Sequence, residues 1–344
     1  MRAVIGQRRL LDRLGAQAAQ GDVAHAYGLF GPRGIGKRTI ALRLAQTLNC
    51  TEADRPAGGC GRCRACGNID QWAHPDVQLI QRVVDDNTGK LRKVITIGQI
   101  LKIQAGLALR PLEGRKRVLV IDDASELSDD AQGSLLKTLE EPPPHAVILL
   151  LTEKPAMLNE TIRSRMQMLP FRLVATAEIA AGLQERFGAG AERYAAPANG
   201  RPGLGIDLAA DAPGVRAARA AFEGELYRLI GSGLTDRFAW AAGLADDNDT
   251  SRRTEAIDER FGHWSELLRD AAVAARGLTD RPLRPDRAAQ TGRLAAAVTP
   301  RELVDVVLLI GQFRRDLDWN ANARAMLELF TLKLPYVSGI GAAA

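Results

Sequence analysis

Three short apolar runs punctuate the first half of the chain, and none of them alternates with polar residues. They are Ala26-Tyr27-Gly28-Leu29-Phe30, Val118-Leu119-Val120-Ile121 and Ala146-Val147-Ile148-Leu149-Leu150-Leu151, the last closing at Thr152. Unalternated runs of this length are what strands of a parallel sheet show when both faces are buried. Between them the apolar spacing turns helical, over Thr39–Ala45 and over Asp129–Glu141, where Pro142-Pro143-Pro144 forbids continuation. The second of these reads as interrupted. From about Asp211 the chain is alanine-rich and helical throughout, as in Val215–Ser232 and Pro300–Asp318, without heptads or repeats. The residues from Ser338 to Ala344 read as a frayed tail. The pattern predicts an α/β domain with a parallel sheet, followed by helices alone.

The first apolar run leads into Gly31-Pro32-Arg33-Gly34-Ile35-Gly36-Lys37-Arg38. Strand, glycine loop and helix in that order make this a P-loop. Its glycines let backbone N–H groups approach phosphate oxygens, the helix N-terminus favours negative charge, and Lys37 faces the β- and γ-phosphates. One position departs from G-x-x-x-x-G-K-[ST]. Arg38 stands where a hydroxyl should ligate Mg²⁺, and a guanidinium repels a cation. Thr39 comes one residue late, a rotation of about 100° around the helix. A glycine turn without a ligand is the plainer alternative.

The P-loop helix runs on into Cys50, Cys60, Cys63 and Cys66, a C-x9-C-x2-C-x2-C array that holds every cysteine of the chain. Four thiolates at this spacing suit a closed, structural Zn²⁺ site, with Gly58, Gly59, Gly61 and Gly67 supplying turns. Disulfides need an oxidising compartment, and Met1–Arg8 lacks the apolar core of a secretory signal. Iron–sulfur ligation fits the spacing as well.

Composition narrows the class. A chain of 344 residues accommodates two or three domains. No apolar run approaches the roughly 20 residues of a membrane span, so a cytoplasmic location is expected. A net charge of +5 permits nucleic-acid contact without demanding it, and 5% aromatic residues leave little for stacking on single strands.

The run ending at Ile121 is followed by Asp122-Asp123, the layout in which one carboxylate helps hold Mg²⁺ and the next orients an attacking water. The second position is usually Glu in active ATPases of this architecture. Asp123 is a methylene shorter, and a reach about an ångström short costs on the order of a hundredfold in rate. Two aspartates capping the next segment are the alternative. Thr152, polar at a strand tip, falls on the γ-phosphate side, the place of a sensor.

The series of P-loop, cysteine knuckle, Ile121-Asp122-Asp123, Leu135-Leu136-Lys137-Thr138-Leu139-Glu140-Glu141-Pro142-Pro143 and Thr161-Ile162-Arg163-Ser164-Arg165 resembles the bacterial sliding-clamp loaders, an AAA+ family. The likeness runs from the start of the chain to about Phe171 and is greatest to the delta-prime class of DNA polymerase III subunits. It implies an α/β AAA+ domain with a zinc knuckle over 1–173, a small helical lid over 174–210 and an all-α collar over 211–344. It assigns to Arg165 the arginine finger that reaches the ATP of a neighbouring subunit, with Met166 in place of the family's cysteine. Arg163 is near enough to assist, and Arg201 is a candidate second sensor.

The implied partners are the other loader subunits in a hetero-oligomeric ring, the sliding clamp and primer–template DNA. Arg38 and Asp123 point to a structural subunit that does not bind ATP and Mg²⁺ productively. Two other readings are an ATP-hydrolysing motor subunit and a zinc-dependent DNA-binding module with a vestigial P-loop. A basic stretch (Arg82, Lys90, Arg92, Lys93, Arg110, Arg115, Lys116, Arg117) reads equally as DNA contact or as a solvated face.

Overall fold

In the computed structural model the apolar runs lie side by side as strands of one sheet. The structure describes residues 4–53, 56–84, 92, 94–210, 214–246, 250–278, 288–317 and 322–340. The elements run α1 (Arg8–Gln20), β1 (Ala26–Phe30), α2 (Lys37–Asn49), α3 (Arg64–Asp70), β2 (Val77–Ile80), α4 (Ile97–Ala108), β3 (Arg117–Ile121), α5 (Asp129–Glu140), β4 (Ala146–Thr152), α6 (Glu160–Arg163), β5 (Gln167–Pro170) and α7 (Thr176–Phe187). The strands pair in the order β2-β3-β4-β1-β5, every pair parallel. All seven residues of β4 are buried, which is why that segment carries no polar alternation.

Register brings the chemistry to one edge. Phe30 stands opposite Thr152, and Ile121 opposite Leu150. The loops after β1, β3 and β4 therefore converge at the carboxyl edge, where open α/β sheets place their ligands. Helix α5 is continuous through Gly133, so the expected interruption does not occur. Ser128 caps it, its hydroxyl accepting from Ala131 N–H at 3.2 Å. Asp129 and Asp130 in its first turn and Lys137 in its last complement the helix dipole.

The contacts divide the chain into two units, Met1–Ala195 with Gly200–Ile206, and Ala196–Asn199 with Asp207–Ala344; the division falls within α8 (Pro202–Ala209). The second unit is helical: α9 (Val215–Gly231), α10 (Leu234–Ala245), α11 (Thr250–Ala274), α12 (Ala288–Ala297), α13 (Pro300–Leu317) and α14 (Ala323–Lys333). Its core centres on Trp264, Phe261 and Phe330, all fully buried. The Trp264 and Phe330 rings stack at 5.6 Å. The buried Arg237 donates to the carbonyls of Leu229, Thr331, Leu334 and Pro335, joining the ends of α9 and α14.

The expected fraying from Ser338 does not hold for its first residues. Ile340 is buried in this core, and Val337 N–H donates to Ile230 O at 3.1 Å. The sequence pattern missed this because a lone isoleucine after Gly339 carries no periodic signal. Residues 341–344, Lys90 and Lys93 lie outside the described residues.

Candidate nucleotide site, cysteine cluster and surface arginine

The P-loop has the backbone of an anion cradle. Gly34 and Gly36 sit at φ 76° and 102°, conformations that side chains resist. Helix α2 begins at Lys37 with no side-chain cap, and its first internal bond runs from Ile40 N to Gly36 O. The N–H groups of its first turn are therefore directed into the loop. Lys37 is buried, and its Nζ donates to Gly31 O at 2.6 Å and to Pro32 O at 3.2 Å. Burial lowers its pKa, while Glu153, Asp123 and Asp122 act to raise it.

Arg38 extends to the acid pair. Its Nη1 lies 3.4 Å from Asp122 Oδ2, and its guanidinium sits over the Trp72 ring, 5.2 Å from the centroid. Burial pushes the Asp122 carboxyl up, Asp123 adds to this, and Arg38 offsets part of it. Asp123 is exposed and left-handed, φ 54°, and its N–H donates to Asp122 Oδ1 at 3.2 Å. Thr39 is exposed one step along the helix. Thr152 is fully buried; its hydroxyl accepts from Lys154 N–H at 2.9 Å and its carbonyl from Gly31 N–H at 3.2 Å, so it fixes the start of the P-loop. The turn before α8 lies on the same loop. Gly203 N–H donates to Gly34 O at 2.7 Å, and a Cβ on Gly203 would lie 2.9 Å from Gly34 Cα. Arg201 stands beside Gly34 at this contact.

The four cysteines converge at the opposite end of α2, where Cys50 is the C-cap. Their sulfurs all lie within 4.8 Å of one another, and Cys60 and Cys66 are 4.0 Å apart. Thiolates around a tetrahedral zinc ion stand roughly 3.8 Å apart, so the donor set fits a metal of that size. Burial acts to raise the Cys63 thiol, but hydrogen bonds from Thr51 and from Cys66 N–H bring it down to about 6. Burial raises Cys50 and Cys66. Gly59, at φ 76°, leaves no room for a Cβ between Gln46 and the Cys66 sulfur. Gln46 Nε2 donates to Cys66 O at 2.9 Å, and Gly58 N–H to Thr47 Oγ1 at 2.8 Å, which fastens the knuckle to α2.

Arg165 lies at the surface just past α6. Its Nη2 pairs with Glu140 Oε1 at 2.8 Å, and its Nη1 donates to Thr161 O at 3.0 Å. Met166 is buried, so the residue in the cysteine's place packs inward. Of the basic stretch, Arg117 belongs to the interior. It is 6% exposed, donates to Leu109 O and Arg110 O, and lies 3.7 Å from the buried Asp76. Asp76 in turn accepts from the N–H groups of Leu112, Glu113 and Gly114.

Sequence reasoning missed Trp72, Glu140 and the Gly34–Gly203 contact. Each lies far along the chain from its partner, and no spacing rule links them.

A parallel sheet with a glycine-loop helix after β1 and an acid pair after β3 has the layout of a P-loop domain. Residues 6–175, just under half of the chain, match the family model described as DNA polymerase III, delta subunit, so this part of the chain is similar to the bacterial clamp-loader subunits. It is 34% identical over 159 residues to the DNA polymerase III subunit delta' of Pseudomonas aeruginosa, covering 46% of this chain and 45% of that one. It is 37% identical over 172 residues to the DNA polymerase III subunit tau of Escherichia coli, covering 50% and 25%. The chain thus spans less than half the length of these relatives. Among solved structures, a DNA polymerase III gamma subunit-related protein of Thermotoga maritima superposes with a TM-score of 0.42 at 16% identity, covering 93% and 98%.

Proposed function

We propose that this chain is a delta-prime-type subunit of the DNA polymerase III clamp loader, a cytoplasmic AAA+ subunit that does not hydrolyse ATP. It supplies Arg165 to the ATP site of a neighbouring subunit while the ring loads the sliding clamp onto primed DNA. The observation that carries this reading is the Arg38–Asp122 ion pair. It sets a fixed positive charge where a motor subunit would hold Mg²⁺, against the very carboxylate expected to ligate it. Asp123, short of the usual glutamate, points the same way. Arg165 is tethered by an ion pair to a half-exposed glutamate, by the Thr161 carbonyl and by a long contact to the Ser164 hydroxyl, all near the surface, so it is available to a partner at little cost.

The four cysteines hold a structural Zn²⁺ in this reading. Four thiolates would leave such an ion no open coordination position, so it would take no part in the reaction and would fix the knuckle at the end of α2. Metal analysis of the purified chain is expected to give one zinc per chain, and iron in its place would replace this assignment. The segment 174–210 serves as the lid and 211–344 as the collar that joins subunits.

Phosphate release by the isolated chain with ATP and Mg²⁺ tests the stator role. No turnover is expected. Turnover that disappears in Lys37→Ala would make this chain a motor subunit, the reading that likeness to the tau subunit keeps in play.

A further inference from the structure

Trp72 and Arg38 form a contact that neither the fold nor the stator role requires. Helix α3 ends in a Schellman arrangement: Ala73 N–H donates to Asn68 O at 2.8 Å and Trp72 N–H to Ile69 O at 3.0 Å. The left-handed position of that motif is ordinarily glycine. Here Trp72 occupies it at φ 56°, a conformation that costs an L-residue roughly 1–2 kcal/mol. Among the described residues only four other than glycine have positive φ; one of them, Trp72, lies against Arg38, and another, Asp123, directly follows Arg38's partner Asp122. Backbone strain of this kind persists where packing over-determines it and gathers at working sites. The left-handed turn sets the indole under a guanidinium that also pairs with Asp122.

The geometry points to Arg38 as the built-in counter-ion of this P-loop, held by Trp72 and Asp122, so that the loop takes a nucleoside di- or triphosphate without a divalent metal ion. The cradle is complete apart from the metal position: left-handed glycines, an uncapped α2 and Lys37. Of the five N–H donors of a guanidinium, the contact with Asp122 uses one. The remainder suit phosphate oxygens, for which arginine is the preferred partner. Asp122 needs the same charge. Burial and Asp123 both oppose its ionisation, and Arg38 is the first group that favours it. A single guanidinium thus serves the acid and the phosphates together, as Mg²⁺ does in a motor subunit. Because its cation is part of the chain, such a site holds nucleotide without the Mg²⁺ that bridges the phosphates for turnover.

This inference rests on the stator reading but can fail separately from it. The test is calorimetric titration of ADP and of ATP into the full chain, with Mg²⁺ and in buffer stripped of divalent ions by resin, which leaves the cysteine cluster undisturbed. Arg38→Thr, which restores G-K-T, and Trp72→Ala are titrated alongside, with thermal melting as a check of folding. The native chain is expected to bind equally in both buffers. Without Mg²⁺, Arg38→Thr is expected to bind about tenfold more weakly, the worth of one charge-assisted hydrogen bond, and to recover when Mg²⁺ is added. Trp72→Ala is expected to lose part of the Mg²⁺-free affinity.

Binding by the native chain only with Mg²⁺, or an Arg38→Thr variant with an unchanged metal response, overturns the proposal. No binding in either buffer also overturns it while leaving the stator reading intact. Mg²⁺-dependent binding with phosphate release removes both.

Discussion

Arg38 and Arg165 are both surface arginines paired to a carboxylate of their own domain, yet their surroundings differ. Arg38 lies on an aromatic ring and pairs with the half-buried Asp122, whose carboxyl is 23% exposed. Arg165 is tied at 2.8 Å to a glutamate that is 50% exposed at the end of α5. The first is turned inward, onto the domain's own nucleotide loop. The second side chain is no more exposed than the first, 35% against 45%, but its partner glutamate is half in solvent, where an ion pair contributes little and is readily exchanged for another partner. The proposed division of labour, no Mg²⁺ site of its own but a charge to lend, follows from where each guanidinium is held.

A third pair extends the series. Arg117 and Asp76, with side chains 7% and 0% exposed, are fully interior. If surroundings decide the worth of these pairs, the cost of breaking them follows burial. Asp76→Asn is expected to cost the most, about 2–3 kcal/mol, because three N–H donors and a guanidinium lose a buried charge. Chemical denaturation measures it, and a loss below that of the other two variants breaks the series. Its pH dependence has a definite sign. Burial opposes the Asp76 charge, but the hydrogen bonds and Arg117 prevail and depress its pKa. Its contribution is therefore complete above the ordinary aspartate value of about 4 and is lost as pH falls through the lower folded value.

Arg38→Ala comes next, at about 1 kcal/mol once solvent screening is allowed for. Asp122 has the opposite sign to Asp76. Its folded pKa is raised, so it favours the fold below the ordinary value and loses that contribution as pH rises through the raised one. Removing Arg38 widens this window upward, which melting curves against pH read directly. Glu140→Gln is the smallest, within about 0.5 kcal/mol. A larger loss would mean that Arg165 is structurally fixed, and the contrast with Arg38 would fail.

The elements that sequence patterning revealed are those whose signal is local. The run from Ala146 to Thr152 is buried on both faces, and its apolar composition follows directly. The P-loop glycines and the four cysteines follow spacings typical of phosphate-binding and metal-binding segments, so a short window suffices to read them. What patterning missed depends on closure of the chain. Nothing within Arg64–Trp72 indicates that its last residue lies on Arg38. Arg117 reads as one more surface charge until Asp76, which precedes β2 on the neighbouring strand's side, is folded beside it. Ile340 looked like part of a loose end because the core that buries it is built from helices far upstream. The Gly34–Gly203 contact is equally silent in sequence, since a glycine records only that something comes close, not what.

The central claim is that this chain lends a charge and does not itself turn over ATP. The most direct test is steady-state phosphate release by the reconstituted clamp loader on primed DNA, with Arg165→Ala or Lys37→Ala introduced in this subunit alone. The account predicts that Arg165→Ala slows the neighbouring site by about 10³-fold, while Lys37→Ala leaves turnover unchanged. Loss of turnover with Lys37→Ala, and none with Arg165→Ala, would contradict it and identify the chain as a motor.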